Sequence, residues 1–190
     1  FAENIAIYMI GPVITTILAF FILKEKISVT QIIIVVVGLI GAIIISKPNS
    51  NTFNYAVIFP FLAALCFAFF TISTKFLNTT DSNQTTLLYT AISGSILSLP
   101  FIFFYWETPN FHQLSLMFCL GLLATIGHFF FIEALKVINA SFAAPFVYLT
   151  VLLAAFWGFF IYNEIPDNST ILGAFLIILA GIIISRLKIK

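Results

Sequence analysis

Phe20-Phe21-Ile22-Leu23-Lys24-Glu25 returns as Phe159-Phe160-Ile161-Tyr162-Asn163-Glu164, and Ile43-Ile44-Ile45-Ser46 returns as Ile182-Ile183-Ile184-Ser185. Both echoes fall 139 positions later, in one frame and without a gap. Each copy reads as an apolar run, a short polar loop with a glutamate at the same place, and a second apolar run. Isoleucine-rich helices match by chance, so the Phe-Phe-Ile-x-x-Glu anchor carries more weight. The loops differ in charge: Lys24 and Lys26 flank the first glutamate, whereas the second loop holds Glu164 and Asp167 and no base. Basic loops stay on the cytoplasmic side of a membrane. The two hairpins are therefore expected to turn on opposite faces, as inverted repeats do.

Composition supports a membrane setting. Charged residues are 8% of the chain and hydrophobic residues 62%, against about 25% charged in soluble domains. Spanning helices need about 20 apolar residues, and seven stretches qualify: 5–23, 29–46, 55–75, 86–106, 114–135, 141–162 and 169–185. The expected class is all-α and polytopic, surrounded by lipid bilayer. The gaps are too short for a soluble domain, and no basic stripe suggests nucleic acid. Cys66 and Cys119 lie in apolar runs without metal-ligand spacing, so neither a metal nor a cofactor is expected.

Lys24, Lys26, Lys75, Lys136, Arg186, Lys188 and Lys190 fall on one side of these spans, and Lys47 alone falls on the other. This bias predicts a cytoplasmic C-terminus. Tyr105, Trp106 and Tyr162 then mark outer helix ends. Spans two and seven are repeat-equivalent, so one repeat holds five spans, and an odd number makes the halves antiparallel. Residues 1–50 read as the last two helices of a first repeat and 51–190 as a complete second repeat. Three further helices, and a natural N-terminus ahead of Phe1, are expected upstream.

Pro12, the Phe20–Glu25 anchor, Gly38 and Gly41 in the first copy, with Ala64, Ala68, Lys75, Gly127-His128, Ala134-Leu135-Lys136, Ala140-Ser141, Ala144-Pro145-Phe146-x-Tyr148, Gly158, Glu164-x-Pro166-Asp167, Gly173 and Gly181 in the second, resemble the EamA-type branch of the drug/metabolite transporter superfamily. The resemblance covers essentially the whole chain. It implies a ten-helix carrier in a bacterial inner membrane, a cavity between its halves and a small-molecule substrate; a homodimer is a candidate assembly. Three positions depart from the pattern. Ile34 stands where the second copy has Gly173, Val151 stands opposite Pro12, and the second proline, Pro145, comes six residues earlier.

Candidate site residues follow. His128 is the ionisable side chain well inside a span, where such groups are functional by default. Proton coupling, if present, would fall to it or to helices upstream. Tyr148 lies one turn beyond Pro145. Tyr148, Trp157 and Tyr8 could stack on a substrate, and Thr71 adds a hydroxyl, although bonding back to its own helix is the commoner use. Pro12 and Pro145 are expected to kink their helices for alternating access, with a static kink as the alternative. Glu25 and Glu164 read as structural caps in opposite loops. Glu133 and Lys136 read as a surface pair. Ala64/Ala68, Gly94/Ser98, Ala154/Gly158 and Gly173/Gly181 read as close helix contacts.

A carrier moving amino acids, amines, nucleosides or vitamins accounts for these features. The alternatives are an accessory membrane protein and a membrane enzyme. Catalysis lacks support: there is no His-Glu-x-x-His and no Gly-x-Ser-x-Gly, and one in-span histidine is too little for catalysis. A retinal receptor needs a lysine in the last span, and 169–185 has none.

Overall fold

The computed structural model describes residues 2–47, 58–163 and 165–187. Span one consists of α1 (Ala2–Tyr8) and α2 (Gly11–Ile22). Spans two to five are α3 (Val29–Ser46), α4 (Ile58–Leu77), α5 (Asn83–Tyr105) and α6 (Phe111–Val137). Span six consists of α7 (Ala140–Ala143), a 3-10 turn (Ala144–Tyr148) and α8 (Leu149–Tyr162). Span seven is α9 (Asn168–Arg186). All seven are long and apolar enough to cross a membrane, and the described residues contain no strand. The all-helical reading and its seven spans therefore hold.

The breaks in spans one and six have a common chemical cause. Proline has no N–H for the carbonyl four residues back and its ring crowds that carbonyl. Pro12 stands in the first turn of α2, just after the α1–α2 break, and Pro145 stands in the 3-10 turn between α7 and α8.

Two compact units arise, one of them Thr74–Val137 and the other the rest of the described chain. In the larger unit, packing is reversed relative to a soluble protein. Alanines are enclosed (Ala19, Ala42, Ala64 and Ala140 at 0% exposure), while Phe21 is 70% exposed. Lipid is as apolar as phenylalanine, so burying large side chains gains little there. Helices associate instead where small residues let backbones approach.

The most extensive helix pair of this unit is α3 with α9. A β-carbon on Gly41 would stand 2.8 Å from the Gly173 carbonyl oxygen, and one on Gly173 would stand 2.6 Å from that of Gly41. The helices run antiparallel, since Lys47 after α3 meets Asp167 before α9. The pair 139 positions away, Ala180 with Ile34, shares one buried cluster with Ile184 and Phe142. The Tyr148 ring lies on Gly38, and the corresponding Met9 and Ile177 share another cluster. Lys24 and Asn163, also repeat mates, both take the left-handed conformation, with φ of 54° and 55°. The small-residue reading holds at Gly173 and Ala64 but not everywhere: a β-carbon on Gly94 or Gly181 would meet nothing within 4 Å among the described residues.

Within Thr74–Val137, polar groups tie α4, α5 and α6 at one end. The Lys75 ammonium donates to the Leu135 carbonyl at 2.7 Å and Asn78 donates to that of Ile132 at 3.3 Å. Leu135 lies in the last turn of α6, where carbonyls lack helical partners of their own. Asn83 donates to Glu133, which also pairs with Lys136 at 3.2 Å.

Candidate functional site

Spans one and six, each interrupted near a proline, face one another across open space. A cavity of about 950 Å³ opens there. Its lining comes from α1 (Asn4, Tyr8, Met9), the end of α3 (Ser46, Lys47), the start of α4 (Pro60, Ala63), α8 (Thr150, Ala154, Trp157) and the approach to α9 (Asp167, Thr170). Small residues on α8, including Ala155 and Gly158, leave the room that the aromatic side chains border.

Of the expected substrate residues, the structure brings Tyr8 and Trp157 to this cavity. Tyr8 is half-buried and packs against Phe67 with ring centroids 6.1 Å apart; Trp157 is 54% exposed. Tyr148 is fully enclosed and contributes no cavity wall. Its hydroxyl has no hydrogen-bond partner among the described residues. Thr71 is buried, and its hydroxyl donates to the Phe67 carbonyl of its own helix at 3.0 Å. His128 presents an exposed side chain on α6, in the smaller unit. Pro12 and Pro145 are buried beside the breaks. Glu164 lies outside the described residues.

Glu25 is buried, and its carboxylate reaches the start of span six. It accepts from the Ala140 amide at 2.8 Å, the Ser141 amide at 3.0 Å and the Ser141 hydroxyl at 2.5 Å. The local Asn139 side chain makes no capping bond, so a residue 115 positions earlier satisfies these otherwise orphaned amides.

At the other end of the same unit, the Lys47 ammonium pairs with Asp167 Oδ2, each side chain 49% exposed. Asp167 Oδ1 caps α9, accepting from the Thr170 amide at 3.0 Å and hydroxyl at 2.8 Å. The Lys47 hydrogen bond, followed by those of Thr170, holds the Asp167 carboxyl down to about 2 from an ordinary 3.8. Beside the pair, Ser46 is 7% exposed and its hydroxyl has no partner among the described residues. Among the described lining residues, only Lys47 and Asp167 carry formal charge. Sequence reasoning passed over this pair and Ser46. Its available signal was Lys47 itself, the single base against the charge bias.

Among the described residues this arrangement offers aromatic faces, hydroxyls and one ion pair, and no nucleophile–base pair. The described residues hold no cluster of metal-ligating side chains. The EamA-like transporter family model matches residues 54–186. The chain belongs to the EamA-like transporter family. It is 38% identical to an S-adenosylmethionine uptake transporter of Rickettsia prowazekii over 173 residues, covering 91% of this chain and 59% of that protein. It is 28% identical to a riboflavin transporter of Vibrio cholerae, covering 99% of this chain and 63% of the relative. A pseudopaline exporter of Pseudomonas aeruginosa is 24% identical, covering 87% and 59%. The chain thus spans about three fifths of the length of these EamA relatives. The family is one of transporters, which agrees with the expectation of a non-enzyme.

Proposed function

We propose that this chain forms most of a secondary carrier that moves a small organic metabolite across a bacterial inner membrane by alternating access. The observation that carries the proposal is the cavity between two proline-broken spans, since broken helices beside a cavity are where carriers bind substrate. The repeat-equivalent contacts of α3 and α9 support a complete carrier of ten helices in two inverted repeats, with 1–50 closing the first and 51–190 forming the second. Charge bias supports a cytoplasmic C-terminus. The Lys47–Asp167 end then faces outward and the Glu25 latch faces inward. A homodimer is the candidate assembly, and the lack of a basic stripe argues against a nucleic-acid partner.

Among metabolites, S-adenosylmethionine is the first to test. The Rickettsia relatives carry its name, and its sulfonium is a cation of the kind that aromatic faces such as Trp157 and Tyr8 attract. The experiment is counterflow in proteoliposomes holding the protein as the cell makes it. Exchange of labelled S-adenosylmethionine is expected, with riboflavin and amino acids run beside it. Folded protein that exchanges none of these would overturn the reading. Trp157→Ala and Tyr8→Ala are expected to raise KM several-fold each, in line with about 0.5–2 kcal/mol for a cation on an aromatic face.

A further inference from the structure

We propose that the Lys47–Asp167 pair, with Ser46 beside it, is the recognition site for the α-amino-acid head of a zwitterionic substrate. The inference rests on the carrier reading above and names the substrate class of the same cavity.

Three observations bear on it. Lys47 and Asp167 are the two formal charges among the described lining residues. A ligand with an ammonium and a carboxylate on one carbon offers the complementary pair, so exchange of partners leaves no uncompensated charge. Both side chains are half-exposed at the rim and can turn from each other to a ligand. The α9 cap uses Asp167 Oδ1, which leaves Oδ2, the Lys47 acceptor, to take an ammonium. Ser46 supplies the third element. Its hydroxyl is more than nine-tenths buried at the cavity wall and lacks a partner among the described residues. Buried hydroxyls are normally satisfied, and a ligand carboxylate on Lys47 gives this one an acceptor. The roles are therefore distinct: Lys47 and Ser46 take the carboxylate, Asp167 takes the ammonium, and Tyr8 and Trp157 border the space for the remainder of the ligand.

The test measures binding directly, by scintillation proximity on purified protein as the cell makes it, with three probes. S-Adenosylmethionine has the complete head, its decarboxylated form keeps only the amine, and 5′-methylthioadenosine has neither group. Decarboxylation is expected to weaken binding roughly tenfold or more, as loss of a charge-assisted hydrogen bond does. Lys47→Gln should bring S-adenosylmethionine down to the level of its decarboxylated form. Asp167→Asn should weaken both amines, and neither variant should alter methylthioadenosine binding. A merely structural ion pair would change all three probes together. Equal binding of all three by the native protein, or equal losses in the variants, overturns the inference.

Counterflow on the same preparation separates the two readings. Exchange of riboflavin or methylthioadenosine with indifference to the amino-acid head leaves the carrier standing and sinks the zwitterion site. Head-dependent binding without exchange does the reverse. Neither binding nor exchange sinks both.

Discussion

Gly41 and Gly173 meet backbone to backbone where α3 crosses α9, and neither has space for a β-carbon. The obstacle on each side is the other glycine's carbonyl, at 2.8 Å and 2.6 Å, and a helix carbonyl cannot rotate aside as a side chain can. Gly173→Val or Gly41→Val should therefore force the helices apart. The expected loss is about 1–3 kcal/mol, the usual range for overpacking, seen as a lower thermal midpoint in detergent. Gly181→Ala, in open space, should unfold with the native protein; an equal loss there would show that glycine content, and not this crossing, sets stability.

The Tyr148 ring depends on another glycine. A β-carbon at Gly38 would lie 2.3 Å from Tyr148 Cδ2. Because the Tyr148 hydroxyl is buried without a partner among the described residues, Tyr148→Phe should change stability by less than about 1 kcal/mol and leave substrate affinity unaltered. Tyr148→Ala should cost about 3–5 kcal/mol through its cavity. Loss of affinity in a stable Tyr148→Phe protein would put the hydroxyl back in the substrate site.

Glu25 should respond stepwise. Glu25→Ala leaves two amides at the start of span six without their acceptor, at about 1–3 kcal/mol for each buried donor. Glu25→Gln retains one acceptor oxygen and should lose less. Amide hydrogen exchange at Ala140 and Ser141 locates the effect: faster exchange there, with the α3–α9 crossing unchanged, is the expected pattern.

The Asp167 carboxyl is depressed to about 2 from 3.8. A depressed acid stabilises the folded state above its unfolded pKa, and that contribution is lost as pH falls through the folded one. The Lys47–Asp167 tie should therefore hold above about pH 4 and release as pH falls toward 2. Lys47→Gln removes the largest cause, so the Asp167 titration, followed by infrared difference spectroscopy, should move upward. It should stop short of 3.8, because Thr170 still donates. An unmoved titration would mean that Thr170 alone sets it.

Much of the fold was legible because its causes are local. A membrane span is set by its own composition, so Val29–Ser46 could be read almost to the residue. The echo of Phe20–Glu25 in Phe159–Glu164 has a structural counterpart at one position, the left-handed backbone of Lys24 and Asn163. The candidate site was read less well. Tyr148 follows Pro145 by one turn, and from that spacing it looked like a cavity residue. It is instead enclosed against Gly38, a neighbour 110 positions away that periodicity cannot see.

What the sequence determined by itself is the number of spans, the presence of Pro12 and Pro145 where two of them bend, and the string shared by the two hairpins. Each follows from apolar length, from a missing N–H, or from a repeated string. The tertiary structure alone decided which side chains meet. Glu25 reaches Ala140, Lys47 reaches Asp167, and Gly41 admits Gly173. All three depend on how closely two backbones approach, and that distance is fixed by the side chains absent from the contact.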